Sequence, residues 1–137
     1  ILFRLINKTI KQLSIENINS KILYNFYLLH VIIQNGFKPN IENCYKCNKL
    51  LKNNFSVLFN GQLMCLNCQN NNVKKINIES LLFIKKLMYT NIKEINMLNR
   101  NNINLNSISL FLEEYMRYHI EGMNYVKSTS ILRKLIN

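Results

Sequence analysis

Two CxxC pairs constrain this chain more than any other feature: Cys44-Tyr45-Lys46-Cys47 and Cys65-Leu66-Asn67-Cys68. They read C-x2-C-x17-C-x2-C, inside the spacing of a tetrathiolate zinc site. A CxxC turn sets its two sulfurs about 3.5 to 4 Å apart, roughly the edge of a tetrahedron with Zn–S bonds of about 2.3 Å. Cys44, Cys47, Cys65 and Cys68 together fill the shell and leave no position for water, so the expected Zn2+ is structural and does no chemistry of its own.

The connector agrees. Phe55 to Phe59 and Gln62 to Cys65 are apolar-rich runs on either side of Asn60-Gly61. Asn-Gly in that setting signals a hairpin, because both residues tolerate positive φ in a type I′ turn. A hairpin that returns the chain to the second CxxC is a zinc ribbon, placed here over residues 41–72. The alternatives are a buried thiol cluster, two disulfides or an iron–sulfur centre. All four cysteines fall in this one unit, which argues against a disulfide framework. Glycine often follows the second cysteine of such a knuckle. Asn48 stands there instead, the next best residue for a left-handed conformation.

Outside the ribbon the pattern is helical. Leu2, Leu5, Ile6, Ile10 and Leu13 share a helix face. A polar turn over 14–19 precedes a second helix, expected to be capped by Ser20 and to end near Asn35 with Gly36 beyond it. Its apolar residues lie on nearly every side, which places it centrally. Pro39 then blocks continuation. After an Asn70-Asn71-Asn72 loop, Asn77 is expected to cap a helix over 78–89. A short helix over 92–98, a polar connector, and a long helix capped by Ser107 and reaching Glu121 follow. A last helix spans 127–135. The expected fold is mainly α: one helical domain over 1–137 with a small zinc ribbon inserted in it.

The chain has 137 residues and 48% hydrophobic content, enough for one core. Its 18 Lys and Arg against 7 acidic residues give a net charge of +11. Four thiolates and one dication bring that to about +9. Such a balance suits polyanions, although the abundance of Asn, Ile and Lys and the absence of Asp also follow from AT-rich coding. No segment resembles a signal peptide, and the longest apolar run, 26–33, falls far short of the roughly 20 residues of a membrane span. With reduced cysteines, a cytoplasmic setting is expected.

Catalytic patterns are missing. Three glycines leave no room for a phosphate loop, and a Ser-His-Asp triad has no Asp. His30 and His119 sit in apolar helix patterns and read as hydrogen-bonded core or rim residues. Glu113 and Glu114 point about 100° apart on a helix and read as a solvated face. The chain reads as a non-enzyme. Basic residues group around the knuckles and near the C-terminus. Lys46, Lys49, Lys52, Lys74, Lys75, Arg117, Lys127 and Arg133 are the candidate contacts for DNA or an acidic peptide tail. Lysines at the knuckles also offset the negative zinc-thiolate centre. Tyr45, Phe55 and Phe59 either stack on bases or cover the ribbon's small core.

The order of these pieces is more specific than any one of them. Phe26-Tyr27-Leu28-Leu29 leads to Gly36-Phe37-Lys38-Pro39-Asn40 and Cys44-x-x-Cys47. Cys65-x-x-Cys68, Tyr115-Met116-Arg117-Tyr118-His119 and Lys127-Ser128 followed by Leu132 come after. The series resembles the C-terminal region of the RecO recombination mediators across essentially all 137 residues. The resemblance implies a non-enzymatic DNA-repair protein that binds single- and double-stranded DNA and anneals strands. With RecR it helps RecA replace the single-strand-binding protein SSB, whose acidic tail the helical region receives. It implies a structural zinc and a nucleoid-associated protein of the cytoplasm. It also implies an N-terminal OB-fold, which is expected upstream if this chain is a fragment, since Ile1 already lies in the helices. The competing reading is a generic zinc-ribbon module that binds RNA or a ribosome.

Overall fold

The computed structural model describes residues 1–15, 17–52, 55–57, 61–68 and 74–122, and the isolated positions 128, 131 and 134. Among the described residues four α-helices build the body: α1 (Leu2–Leu13), α2 (Ser20–Gln34), α3 (Ile78–Tyr89) and α4 (Leu105–His119), with a 3-10 helix at Ile92–Met97 between the last two. Three short strands, β1 (Phe55–Val57), β2 (Leu63–Met64) and β3 (Lys74–Ile76), lie between α2 and α3. The architecture is mainly helical with a small ribbon, as the sequence indicates. Of the expected last helix, Ser128, Ile131 and Lys134 are helical, and the rest lies outside the described residues, as does the Asn70-Asn71-Asn72 loop.

α2 is the hub. It buries Ile22, Leu23, Phe26, Leu28, Leu29 and Ile32, which spread over more than half of its circumference, and it touches α1, α3, α4 and the 3-10 helix. Its C-terminus closes on Gly36, whose φ is +87°. There the Phe37 N–H donates to Ile32 O at 3.1 Å and the Gly36 N–H to Ile33 O at 3.0 Å. These are the two bonds of a Schellman motif, and they satisfy carbonyls that the helix end would otherwise orphan.

Asparagine supplies the N-caps of α2, α3, the 3-10 helix and α4, while α1 begins at Ile1 without a side-chain cap. The side chains of Asn19, Asn77, Asn91 and Asn104 accept from Ile22, Ser80, Lys93 and Ser107 N–H groups respectively. The cap at Asn77 matches the sequence reading. Those expected at Ser20 and Ser107 do not: the caps are Asn19 and Asn104, and both serines sit inside their helices. An Asn carbonyl oxygen serves the first turn as well as a hydroxyl does, so either residue type could have started these helices.

The α2–α4 contact contains a polar seam. Asn25, fully buried, donates to Leu105 O at 3.1 Å and accepts from Ser109 Oγ at 2.7 Å. Tyr24 OH donates to Glu113 Oε1 at 2.9 Å, and Arg117 lies 3.9 Å from the same carboxylate. Glu113 is only 1% exposed, which corrects its reading as part of a solvated face. α4 is covered on more than one side, so its adjacent acids have different environments. α1 also differs from expectation. It buries Leu5, while Leu2, Phe3, Ile10 and Leu13 face solvent. Its Gln12 reaches across to Ile92 O at 3.1 Å instead.

Candidate metal centre and basic surface

The first knuckle is a tight loop closed by an isolated antiparallel bridge between Asn43 and Leu50. Within it the Cys44 N–H donates to Lys49 O at 2.8 Å and the Asn48 N–H to Cys44 O at 2.9 Å. Asn48 has φ +56°, the left-handed conformation its position calls for. Asn40 prepares the entry by accepting from the N–H groups of Glu42 and Asn43 at 3.1 and 3.2 Å. In the second knuckle the Cys68 N–H donates to Cys65 O at 3.0 Å.

A three-stranded antiparallel sheet in the order β2-β1-β3 holds the knuckles together. Ser56 pairs with Met64 and Val57 with Leu63. β3, which the sequence did not suggest, pairs Lys75 with Ser56 and Ile76 with Phe55. The Tyr45 N–H donates to Leu63 O at 2.8 Å and so ties the first knuckle to β2. Ile41, Leu51, Leu63, Met64 and Ile76 are buried beneath the site.

The four Cys Sγ atoms all lie within 4.8 Å of one another, and no other residues among those described form such a group. Cys47 Sγ and Cys65 Sγ, one from each knuckle, are 3.7 Å apart. That is too long for a disulfide, whose S–S bond is about 2.05 Å, and it matches the edge of a zinc-thiolate tetrahedron at roughly 3.8 Å. Electrostatics agree. Burial works to raise the Cys44 thiol, yet the backbone N–H groups of Cys47, Cys65 and Lys46 aimed at its sulfur bring it down to about 6. Hydrogen bonding to Cys65, then burial and the other two sulfurs, push Cys68 up to about 12. Alone, the four thiols cannot all ionise. A dication removes that conflict, because it makes every thiolate favourable. The residues fit a single metal ion of the zinc type.

Among the described residues, three contacts fasten the ribbon and its lead-in to the helices. Gly61, at φ +76°, lies against α4 so closely that a Cβ there would sit 2.8 Å from Tyr115 Cβ and 2.9 Å from Tyr115 Cα. Lys85 on α3 donates to Glu42 at 2.6 Å, and this contact first, with the lysine's charge, holds the Glu42 carboxyl below its usual range. Lys38 donates to Tyr89 OH at 2.9 Å. None of the three was legible in the sequence, since each joins residues distant in the chain.

The candidate contacts divide. Lys46, Lys49 and Lys52 are exposed around the first knuckle, and Lys75 is exposed on β3. Arg117 is apart from them, half-buried beside Glu113. For Lys74 the backbone is described and the side chain is not. Lys127, Arg133 and Phe59 lie outside the described residues, as does the Phe55 side chain. Tyr45 is 64% exposed, so it does not cover the ribbon core. His30 Nε2 lies 3.1 Å from Leu87 O, in keeping with a hydrogen-bonded rim residue, and burial lowers its pKa. His119 is held by rings instead. Tyr115, Tyr118 and Phe37 lie 4.1, 5.0 and 5.5 Å from it. Its buried Nε2 has no hydrogen-bond partner among the described residues, and burial lowers its pKa.

No helix among the described residues is long and apolar enough to cross a membrane. Comparison with known proteins adds the rest. The chain is similar to the DNA repair protein RecO of Alkaliphilus metalliredigens (strain QYMF), 24% identical over 137 residues that cover 98% of this chain. It spans 55% of that relative's length. No solved structure matches it. Residues 1–129 match the family model described as recombination protein O C terminal. The two CxxC knuckles, the Gly36 to Asn40 lead-in and the four-helix body therefore have one home: the chain belongs to the RecO family, in that family's C-terminal region.

Proposed function

We propose that this chain is the helical, zinc-bearing part of a recombination mediator. In this reading residues 1–137 form one domain with the ribbon 41–72 inserted in it. Cys44, Cys47, Cys65 and Cys68 hold one structural Zn2+. The observation that carries the reading is the family match over residues 1–129, in a chain whose four thiols converge within 4.8 Å. The protein binds single-stranded DNA, and duplex DNA as well. It works with RecR-like and SSB-like partners, so that RecA can load onto SSB-coated strands in the cytoplasm, at the nucleoid. It is a binding protein and not an enzyme.

The physical basis is charge held on a rigid frame. Exposed Lys46, Lys49, Lys52 and Lys75 surround the ribbon, and each phosphate they neutralise releases condensed counterions. Lys74, Arg117, Lys127 and Arg133 are further candidates for phosphate or for an acidic tail. Zinc, when bound, supplies no reaction step. It fixes the two knuckles against each other, and the sheet, Gly61 and the Lys85–Glu42 pair carry that rigidity to the helices.

The test is competition. The zinc-loaded chain is bound to a labelled single-stranded oligonucleotide and challenged with unlabelled single strand, duplex DNA and ribosomal RNA. Displacement by DNA at concentrations where ribosomal RNA fails is the expected result. Preferential displacement by ribosomal RNA would overturn the mediator reading in favour of an RNA-binding zinc-ribbon module.

A further inference from the structure

Where α3 meets the entry to the ribbon, the surface holds an open groove of about 360 Å3, lined among others by Lys38, Ile41, Glu42, Lys85, Met88 and Tyr89. Tyr89, the last residue of α3, is 72% exposed. Lys38 Nζ lies 2.9 Å from its hydroxyl and 5.2 Å from its ring centroid. The ammonium therefore sits beyond the hydroxyl edge and leaves the faces of the ring open. Phe37, the chain neighbour of Lys38, is 38% exposed and rests on the His119 ring at 5.5 Å. One outward aromatic ring, that of Tyr89, thus stands beside a lysine that lies between the Schellman turn and Pro39.

We propose that Tyr89, with Lys38 beside it, forms a stacking ledge for an unpaired base of single-stranded DNA. Open ring faces offer bases a sequence-independent platform, and a cation beside them takes the phosphate. Bases inside a duplex have no free face to offer, so the ledge favours the single strand. Glu42 acts against it: its carboxylate lines the groove and holds Lys85 at 2.6 Å, keeping that second ammonium from phosphate. This inference rests on the DNA-binding reading above but makes a separate claim about where and how the strand is held.

The experiment measures anisotropy of a labelled oligo-dT and of a hairpin duplex with the zinc-loaded chain and with Tyr89→Ala, Tyr89→Phe and Glu42→Gln. Tyr89 and Glu42 are exposed, and a cooperative urea transition with zinc content unchanged will show that the variants fold. Tyr89→Ala is expected to weaken single-strand binding by about 5- to 100-fold and to leave duplex binding unchanged. Tyr89→Phe keeps the ring and is expected to bind nearly as wild type. Glu42→Gln frees Lys85 and is expected to tighten binding. A Tyr89→Ala loss shared equally by both DNAs, or no loss, overturns the ledge while the DNA-binding reading stands, and so does weaker binding by Glu42→Gln. No single-strand binding by the wild-type chain overturns both.

Discussion

Gly61→Ala isolates the contact that joins the ribbon to the helical body. The new methyl carbon would sit 2.8 Å from Tyr115 Cβ and 2.9 Å from Tyr115 Cα. Carbon atoms prefer about 3.5–4.0 Å, so the hairpin or α4 must shift. Forcing extra carbon into a packed contact costs about 1–3 kcal/mol. The backbone adds a second cost, since φ is +76° there and a left-handed conformation costs a non-glycine residue about 1–2 kcal/mol. Together they amount to roughly 2–5 kcal/mol. Gly36→Ala is the internal control. Its φ is +87°, and a Cβ there meets nothing within 4 Å, so only the backbone cost of about 1–2 kcal/mol applies. Urea unfolding of the zinc-loaded chain and both variants gives the two losses. Gly61→Ala should be the more damaging by about 1–3 kcal/mol. Equal losses would refute a close dock between the hairpin and Tyr115.

Further outcomes follow from other contacts. Cys47→Ser should lose its metal and destabilise the ribbon, because the binding energy of such a site is folding energy; zinc content unchanged by elemental analysis would refute the four-thiolate assignment. Glu113→Ala removes the carboxylate that Tyr24 bonds at 2.9 Å and should cost about 1–3 kcal/mol, read by chemical denaturation; a loss below experimental error would mean that solvent reaches the seam. His30 is held below its ordinary 6.5 by burial, partly offset by its bond to Leu87. A histidine pKa depressed on folding gives stability that is present above 6.5 and lost as pH falls through the folded value. Urea midpoints should therefore decline below about pH 6.5, and His30→Gln should flatten that decline; an unaltered pH profile would exclude His30 as its source.

The sequence carried the elements better than their surroundings. The CxxC spacing marked the thiol group, because the turn is local and its geometry is stereotyped. Asn60-Gly61 marked the hairpin for the same reason. The ends of α1 and α3 were legible from periodicity and from Asn77. The caps of α2 and α4 were misplaced by one and three residues, since Ser and Asn serve that position equally well. What failed was long-range. Glu113 looks like its neighbour Glu114 in sequence, and it is contacts such as the Tyr24 bond across to α2 that make it a core residue. Periodicity groups Leu2, Leu5, Ile6, Ile10 and Leu13 on one face of α1, yet of these only Leu5 is buried, and Gln12 makes the bond to the 3-10 helix. β3 reads Lys74-Lys75-Ile76, a polar triplet with no strand signal of its own, and it exists because β1 offers it an edge. The Tyr89 ledge is assembled from two segments about fifty residues apart, and no window along the chain contains both.

The most direct test of the account is the salt dependence of single-strand binding. Anisotropy of a labelled oligonucleotide is titrated with the zinc-loaded chain at several salt concentrations. The account predicts binding at low salt whose logarithm falls linearly with the logarithm of salt, by about 0.7 per phosphate contacted. No binding at low salt, or an affinity indifferent to salt, would contradict a DNA-binding role for this helical, four-cysteine chain.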